Sequence, residues 1–150
     1  MMRFPYRGAG IALVSDGRIL MGKRSSKPFY GTWCVPGGGR EKTDKDDLET
    51  AVRELGEETG IDFASSFPEA NCICTWKLRL PFFSWKTFFY AVPPEKTQKL
   101  VLVPSEFSEL EWVFISEIRK GRKKHLRPFA GAEVRFLVRR GRKSELSHFD

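Results

Sequence analysis

The clearest periodic pattern of apolar and polar positions lies in residues 46–59. Apolar side chains recur there at i, i+3, i+4 and i+7, which predicts an amphipathic helix with one face towards a core. Thr43 or Asp44 can cap the N-terminus of this helix, and Gly60 can end it. The apolar positions of the pattern are Leu48, Ala51, Val52 and Leu55.

Short segments rich in apolar, aromatic and β-branched residues predict the strands of a sheet. The first two are joined by Asp16-Gly17, a strong signal for an antiparallel hairpin. Residues 24–32 predict an exposed loop, and the three glycines after Pro36 are predicted to be irregular. A second helix is predicted for residues 129–140. The predicted strands cover residues 8–14, 18–23, 71–80, 84–92, 99–103 and 110–115.

Length and composition favour a single domain over residues 1–150. Hydrophobic residues make up 41% of the chain and include 13 Phe and 4 Trp, which suffices for a core. No apolar run approaches the roughly 20 residues needed to cross a bilayer, and the N-terminus lacks the apolar stretch of a secretory signal. We therefore expect a cytoplasmic protein with no membrane partner. The oligomeric state stays open.

Positive charge is concentrated near the C-terminus. The net charge is +7, yet eleven of the 26 Lys and Arg residues, and only one acid, fall within residues 119–143. The rest of the chain is slightly acidic, and its acids are densest between Glu41 and Glu58. Three interpretations of the basic C-terminal segment stay open: it holds an anionic nucleotide, it contacts an RNA 5′ end, or it is a solvated helix face and linker.

Three glutamates share one side of the predicted helix. At roughly 100° per residue, Glu54, Glu57 and Glu58 fall within an arc of about 100° beside the apolar stripe. These carboxylates repel one another unless a cation binds, and Mg²⁺ or Mn²⁺ takes carboxylate oxygens while keeping positions for water and phosphate. Arg53 lies one turn before Glu57 and can fix the orientation of a glutamate. For the glutamates taken alone, a solvated acidic face is the alternative.

The residues around these glutamates resemble the Nudix box, a glycine-loop-helix motif. The family's approach to the loop is matched by Trp33-Cys34-Val35-Pro36-Gly37-Gly38, and the helical half is matched by Arg53-Glu54-Leu55-Gly56-Glu57-Glu58-Thr59-Gly60-Ile61. The order of strand, loop and helix around the box also fits, so the resemblance covers most of the chain. It implies the α/β class and the Nudix fold, an α/β/α sandwich with a mixed β-sheet.

The first half of the box departs from the family pattern. The family places a glutamate six residues after the loop glycine and eight before the arginine. Counting forward from Gly38 gives Asp44, whereas counting back from Arg53 gives Lys45. Either one residue is inserted, or Gly39 is the loop glycine and Lys45 replaces the glutamate. Because this glutamate commonly braces the loop, the departure concerns loop geometry more than metal binding. The acids that can take its place are Asp44, Asp46 and Asp47.

The resemblance also implies the roles of individual residues. The implied metal ligands are Glu54, Glu57, Glu58 and the carbonyl of Gly37. Mg²⁺ is the expected ion and Mn²⁺ a replacement, and either would neutralise the leaving phosphate and activate water. The general base is either Glu54 or Glu106, which precedes a late predicted strand. The predicted catalytic residues are Arg53, Glu54, Glu57 and Glu106.

The reaction implied is hydrolysis of a phosphoanhydride bond in a nucleoside diphosphate-linked substrate. A nucleoside triphosphate pyrophosphatase is the first choice, before hydrolysis of ADP-ribose, nucleotide sugars or dinucleotides, and then of RNA 5′ ends. A non-catalytic nucleotide- or RNA-binding module is the alternative from another class. Arg24 and Lys27 can meet phosphates. The aromatic residues that can stack on a base are Phe29, Tyr30, Trp33, Trp76, Phe82 and Trp85.

Overall fold

The structure, a computed structural model, describes residues 5–98, 100–101, 106–123 and 125–143. The strands are β1 (Tyr6–Ser15), β2 (Arg18–Arg24), β3 (Trp33–Cys34), β4 (Gly37–Gly39), β5 (Asn71–Leu80), β6 (Phe83–Ala91) and β7 (Phe107–Phe114). They form one sheet in the order β3-β2-β1-β6-β5, with β4 paired to β1 and β7 paired to β2. The β1–β6 pair is parallel and the other pairs are antiparallel, so the sheet is mixed.

Helices cover both faces of this sheet. The helices are α1 (Asp47–Thr59), α2 (Phe63–Ser66), α3 (Pro94–Thr97), α4 (Ile115–Arg119) and α5 (Ala130–Lys143). One core cluster joins α1 to one face, and a second joins α4 and α5 to the other. The predicted α/β/α sandwich with a mixed sheet is confirmed. Among the described residues, none of the helices has the length and apolar character that crossing a lipid bilayer requires.

Strand β1 is apolar on both sides because it lies between the two helical layers. Ala9, Ile11 and Leu13 belong to the cluster with α1, whereas Ala12 and Val14 belong to the cluster with α5. A strand covered on both faces shows a continuous apolar run instead of alternation. Full burial of each large aliphatic side chain contributes about 2 kcal/mol. This central strand therefore fixes the sheet between its two layers and gives β4 a rigid partner.

The predicted helix at residues 46–59 is confirmed, but its predicted N-cap is wrong. Asp46 caps α1 by accepting a hydrogen bond from the Glu49 N–H at 2.8 Å. Asp44 cannot cap the helix because its carboxylate is occupied elsewhere, as described below. Gly60 ends the helix as predicted: its φ of 78° is left-handed, and its N–H donates to the Gly56 carbonyl.

Three strand predictions need correction. The glycines after Pro36, predicted to be irregular, form strand β4, because the absence of side chains lets them approach β1 closely. The late strand begins earlier than predicted, at Phe107, and pairs with β2. Of the predicted strand at residues 99–103, residues 100–101 are not in a strand, and the other positions lie outside the described residues.

A buried carboxylate connects α5 to the sheet. Trp85 Nε1 donates to the hydroxyl of Thr87 at 2.8 Å, and this hydroxyl donates to the carboxylate of Glu133 at 3.1 Å. All three residues are buried. Burial raises the pKa of Glu133 to about 7, while the Thr87 hydroxyl and the charge of Arg127 oppose the rise. These two hydrogen bonds therefore fix the ring of Trp85 relative to α5.

Glu133→Gln is expected to stabilise the protein at neutral and alkaline pH. The pKa of Glu133 is higher in the folded chain than its ordinary value of 4.5. Its stabilising contribution is thus complete below pH 4.5 and is lost as the pH rises to about 7. The glutamine retains an acceptor for Thr87 and does not ionise. We expect the variant to exceed the parent by roughly 2–3 kcal/mol at pH 8 and to match it at pH 4.5 in denaturant unfolding. An equal difference at both pH values would contradict this.

Candidate active site

Arg53 organises the carboxylates of α1 and the glycine strand. Its Nη1 donates to Glu54 at 3.0 Å and to both oxygens of Glu57 at 3.2 Å. Its Nη2 donates to the carbonyl of Gly39 at 2.9 Å. One guanidinium thus ties the helix to the end of β4, and its planar array of donors suits this role better than an ammonium group. Arg53 thus holds Glu54, Glu57 and Gly39 in fixed positions relative to one another, and its predicted catalytic role stays a prediction.

Asp44 provides the acid that braces this arginine. Its two carboxylate oxygens accept from Nε and Nη2 of Arg53 at 3.0 and 2.9 Å. The same carboxylate accepts from the Thr50 hydroxyl and from the Glu41 N–H. Asp44 is 6% exposed, and the Arg53 hydrogen bonds hold the pKa of Asp44 well below its ordinary range. In this structure Asp44 occupies the bracing position that the sequence left open, whereas Lys45 is exposed.

Strand β4 leaves no room for side chains beside the helix. The Gly37 N–H donates to the carboxylate of Glu58 at 2.7 Å. A Cβ on Gly38 would overlap the carboxyl group of Glu54. A Cβ on Gly37 would overlap the backbone of β1 and the ring of Trp85. The glycines are therefore required by the close approach of the two carboxylates on one side and of the sheet on the other.

Gly38→Ala is expected to weaken divalent-metal binding at least tenfold, because the new methyl group displaces the Glu54 carboxylate from its place beside β4. The measurement is titration with Mn²⁺ followed by electron paramagnetic resonance. Gly56→Ala is the matched control, since a Cβ there meets only the Ile61 carbonyl at an ordinary 3.6 Å. If both variants and the parent bound Mn²⁺ with equal affinity, metal binding would not depend on the position of the Glu54 carboxylate beside β4.

Three carboxylates lie close together beside α1 and β4. Glu54, Glu58 and Glu106 each offer an oxygen within 4.8 Å of the others. Glu54 is 9% exposed and Glu58 is 3% exposed, and Glu106 comes from the loop before β7. Burial raises the pKa of Glu58 to about 8, and the charges of Glu54 and Glu106 add to the rise. Carboxylate oxygens at this spacing are the donor set of a hard divalent cation, which would offset their repulsion.

Glu57 and the other two acids of the late strand region, Glu109 and Glu111, are placed differently. Glu57 is exposed and pairs with Arg53, and it lies outside the group of three carboxylates. Its role as a ligand stays a prediction, as does that of the Gly37 carbonyl. Glu109 lies near Lys23 at 3.6 Å, and Glu111 pairs with Lys123 at 3.1 Å. Among the three acids of the late strand region, Glu106 is thus the one that reaches the helix glutamates.

A pocket of about 700 Å³ opens beside the three carboxylates. Arg24 and Arg127 line it, and the Arg127 guanidinium lies 5.0 Å from the ring centroid of Trp85. Its other aromatic and apolar lining includes Tyr6, Phe29, Phe83, Trp85 and Phe129. The pocket therefore contains arginines that can bind anionic groups and aromatic rings that can stack on a flat base.

Two of the aromatic residues predicted to contact a base, Phe29 and Trp85, line this pocket. The other four and Lys27 are not among its lining residues; Trp33 instead packs under the Lys123 ammonium, and Trp76 packs beside Phe129. Sequence reasoning missed Tyr6, Phe83, Arg127 and Phe129. Their positions depend on strand register and on the path of the chain between α4 and α5, which no local pattern encodes.

The basic C-terminal segment is dispersed over the structure. Arg127 reaches the pocket, Lys123 pairs with Glu111, and Arg122 pairs with Glu117 at 3.2 Å. Arg135 and Arg139 are exposed on α5. Lys124 lies outside the described residues. In the part of the chain that is described, the segment thus contributes Arg127 to the pocket and solvated or paired cations elsewhere.

A family model described as NUDIX domain matches residues 5–131 of the chain. Nudix hydrolase 15, mitochondrial, of Arabidopsis thaliana is 42% identical over 65 residues, which are 39% of this chain and 23% of that protein. An RNA pyrophosphohydrolase of Sphingopyxis alaskensis is 43% identical over 61 residues, which are 39% of this chain and 37% of that protein. The matched stretches thus span less than two fifths of either relative's length.

Solved structures share the fold. The NUDIX domain of Shewanella oneidensis NrtR, crystallised with ADP ribose, superposes with a TM-score of 0.66 at 17% identity over 94% of this chain and 88% of that chain. A bifunctional NMN adenylyltransferase/ADP ribose pyrophosphatase of Francisella tularensis, complexed with AMP and a Mn ion, gives a TM-score of 0.73 at 17% identity over 89% of this chain and 41% of that chain. At this identity the likeness establishes the fold alone.

Proposed function

Because the chain belongs to the NUDIX domain family, we propose that it is a divalent-metal-dependent hydrolase of a phosphoanhydride bond in a nucleoside diphosphate-linked substrate. Nucleoside triphosphates are the first substrate class to expect. The observation that carries the proposal is the meeting of Glu54, Glu58 and Glu106 at the edge of a pocket that also contains arginines and aromatic rings. A binding module without turnover would not need these mutually repelling carboxylates at one point.

The carboxylates of Glu54 and Glu58 would hold the cation, with Glu57 and the Gly37 carbonyl as further predicted ligands. Mg²⁺ is the proposed ion and Mn²⁺ its replacement, and when bound it would neutralise phosphate charge and lower the pKa of water. Glu106 faces the two helix glutamates from the opposite loop. It is the proposed group that accepts the proton of the attacking water, and Glu54 is the alternative.

Arg24 and Arg127 would neutralise the phosphate groups that face the pocket. Both line it, and the Arg127 side chain is additionally oriented by the ring of Trp85. The aromatic wall of Tyr6, Phe83 and Trp85 offers a flat surface for a base. The products would be a nucleoside monophosphate and either pyrophosphate or a phosphorylated group. The volume of about 700 Å³ is in the usual range for a small-molecule site and suits a nucleotide.

The test is product analysis from a panel of substrates in Mg²⁺ and in Mn²⁺. The panel contains nucleoside triphosphates, dinucleoside polyphosphates, ADP-ribose, nucleotide sugars and a 5′-triphosphorylated RNA. Release of a nucleoside monophosphate from at least one class, abolished by chelation of the metal, supports the proposal. Absence of turnover across the panel with both ions would overturn it and favour the non-catalytic module.

A further inference from the structure

The buried indole of Trp85 packs against three glycines in two neighbouring strands. A Cβ on Gly8 would lie 2.7 Å from the indole, one on Gly10 would lie 3.1 Å from it, and one on Gly37 would lie 2.9 Å from it. Gly8 and Gly10 belong to β1, whereas Gly37 belongs to β4. Because no side chain separates the ring from these strands, the position of the indole limits the position of β4.

Strand β4 also contacts the helix glutamates of the candidate active site. The Gly37 N–H donates to the carboxylate of Glu58 at 2.7 Å, and a Cβ on Gly38 would overlap the carboxyl group of Glu54. The strand thus lies between the Trp85 indole and these two carboxylates. Protein interiors are close-packed and transmit small displacements to their neighbours. A movement of the indole is therefore expected to change the hydrogen bond between Gly37 and Glu58.

The indole is held in turn by Thr87 and by Glu133 of α5. The Thr87 hydroxyl accepts from Trp85 Nε1 at 2.8 Å and donates to the Glu133 carboxylate at 3.1 Å. A hydroxyl has a single proton, so donation to Glu133 leaves its lone pairs directed at the indole N–H. One continuous series of contacts thus joins α5 to Glu58: two hydrogen bonds, the packed indole, β4 and a third hydrogen bond.

Glu133 is an unfavourable residue at this position if only stability is considered. Its carboxyl group is buried, and burial raises its pKa to about 7. In the part of the chain that the structure describes, neither a Lys nor an Arg forms an ion pair with it. Burial of an unpaired carboxylate costs free energy, whereas an apolar residue of similar size does not incur this cost. Attachment of α5 to the sheet therefore does not require a glutamate.

We propose that Thr87 and Glu133 are positioning residues of the candidate active site, which hold the Glu58 carboxylate in place through the Trp85 indole and β4. The inference rests on the proposed function in one respect, that Glu58 is a metal ligand. What the role requires is a hydroxyl at residue 87 and a hydrogen-bond acceptor at residue 133. The competing interpretation is that these residues only attach α5 to the sheet, in which case their loss lowers stability and leaves Gly37 and the metal site unchanged.

The test uses pairs of variants that differ in one hydrogen-bonding group. Thr87→Val removes the hydroxyl at nearly constant volume, whereas Thr87→Ser retains it. Glu133→Leu removes the acceptor, whereas Glu133→Gln retains one. Val138→Ala is the control for loss of stability, since Val138 is a buried apolar residue of α5 in the same core and takes no part in the hydrogen bonds. All variants are compared at a temperature at which each is fully folded.

Two measurements follow the proposed effect. The amide proton of Gly37 in ¹H–¹⁵N spectra of the metal-free protein reports its hydrogen bond to Glu58, and Mn²⁺ titration by electron paramagnetic resonance reports the metal site. Thr87→Val and Glu133→Leu should shift the Gly37 resonance and weaken Mn²⁺ binding about threefold to tenfold.

The conservative variants and the stability control should behave differently from these two. Thr87→Ser, Glu133→Gln and Val138→Ala should leave the Gly37 resonance in place and bind Mn²⁺ within about twofold of the parent. Trp85→Phe keeps a ring against the glycines but lacks the indole N–H. In a Trp85→Phe background, Thr87→Val should therefore change Mn²⁺ affinity by less than about twofold, because the two substitutions remove the same hydrogen bond.

Two outcomes would overturn the positioning role. One is an unchanged Gly37 resonance in Thr87→Val and Glu133→Leu; the other is that Val138→Ala alters the Gly37 resonance and Mn²⁺ affinity as much as Thr87→Val does, which would show a general loosening of α5. Failure of the proposed function is recognised separately, as absence of turnover across the substrate panel or of Mn²⁺ binding in the parent. A Gly37 resonance that still responds to Thr87→Val, and not to Val138→Ala, would then leave the positioning of Glu58 standing.

Discussion

Glu58→Gln is expected to lower kcat/KM for the best substrate of the panel by about 10³-fold. Glu58 is buried against β4, and its carboxylate meets those of Glu54 and Glu106. Glutamine keeps an oxygen to accept the Gly37 N–H, so the loop should remain in place. It removes one negative charge from the metal site, and loss of several kcal/mol of metal-dependent stabilisation corresponds to this factor.

The control for this prediction is Glu49→Gln. Glu49 is an exposed acid on the same helix, and its side chain is remote from the carboxylate cluster. It should retain full activity and the Mn²⁺ affinity of the parent. Steady-state rates and Mn²⁺ titration on both variants separate a missing ligand from a damaged helix. If Glu58→Gln kept more than a tenth of the parental activity, Glu58 would not be a metal ligand.

Asp44→Asn is expected to lower the free energy of unfolding by about 3 kcal/mol, because it leaves the half-buried Arg53 without its bidentate partner. It should also lower kcat/KM by about 10- to 100-fold, since Arg53 then holds Glu54 and Gly39 less firmly. Lys45→Glu restores a glutamate at the other possible counting of the box. Lys45 is exposed, so this change should alter stability by less than about 0.5 kcal/mol.

The acid dependence of Asp44→Asn provides a second measurement. Arg53 keeps the pKa of Asp44 below its ordinary value of 3.8. The stability from this pair is therefore present above pH 3.8 and is lost as the pH falls towards the folded-state pKa. The gap between parent and variant in denaturant unfolding should be largest near pH 6 and shrink in acid. If Asp44→Asn left the free energy of unfolding unchanged and Lys45→Glu increased it, residue 45 would be the partner of Arg53 that holds the loop.

Helix α1 and its glutamates can be predicted from the sequence because both depend on local spacing. The apolar period places Leu48, Ala51 and Leu55 towards the sheet, and the same rotation brings Glu54 and Glu58 beside them. The resemblance to the Nudix box then supplies the fold, because the motif fixes a strand, a loop and a helix in order. The resemblance also points to Glu106, which precedes a late strand and whose carboxylate lies near those of Glu54 and Glu58.

The residues that complete the site depend on contacts between distant segments. Asp44 becomes the partner of Arg53 instead of a helix cap because the loop folds back over α1. Tyr6 and Phe83 meet because β1 and β6 are parallel neighbours, and a one-residue shift in register would turn one ring to the other face.

The Lys and Arg residues that are concentrated near the C-terminus in the sequence do not come together at one place in the described structure. Arg122 and Lys123 are paired with acids, and the pocket receives Arg127. Charge counted along a chain thus reports composition, whereas charge counted on a face reports what a partner would meet.

The most direct test of the proposed metal site is anomalous diffraction from crystals of the protein grown with Mn²⁺, since this ion replaces Mg²⁺ and scatters anomalously. We expect a peak in the anomalous difference map at about 2.1 Å from carboxylate oxygens of Glu54 and Glu58, on the side facing Glu106. The peak should be absent from crystals of Glu58→Gln. Manganese bound elsewhere, with no density between these three carboxylates, would contradict the assignment of this cluster as the catalytic centre.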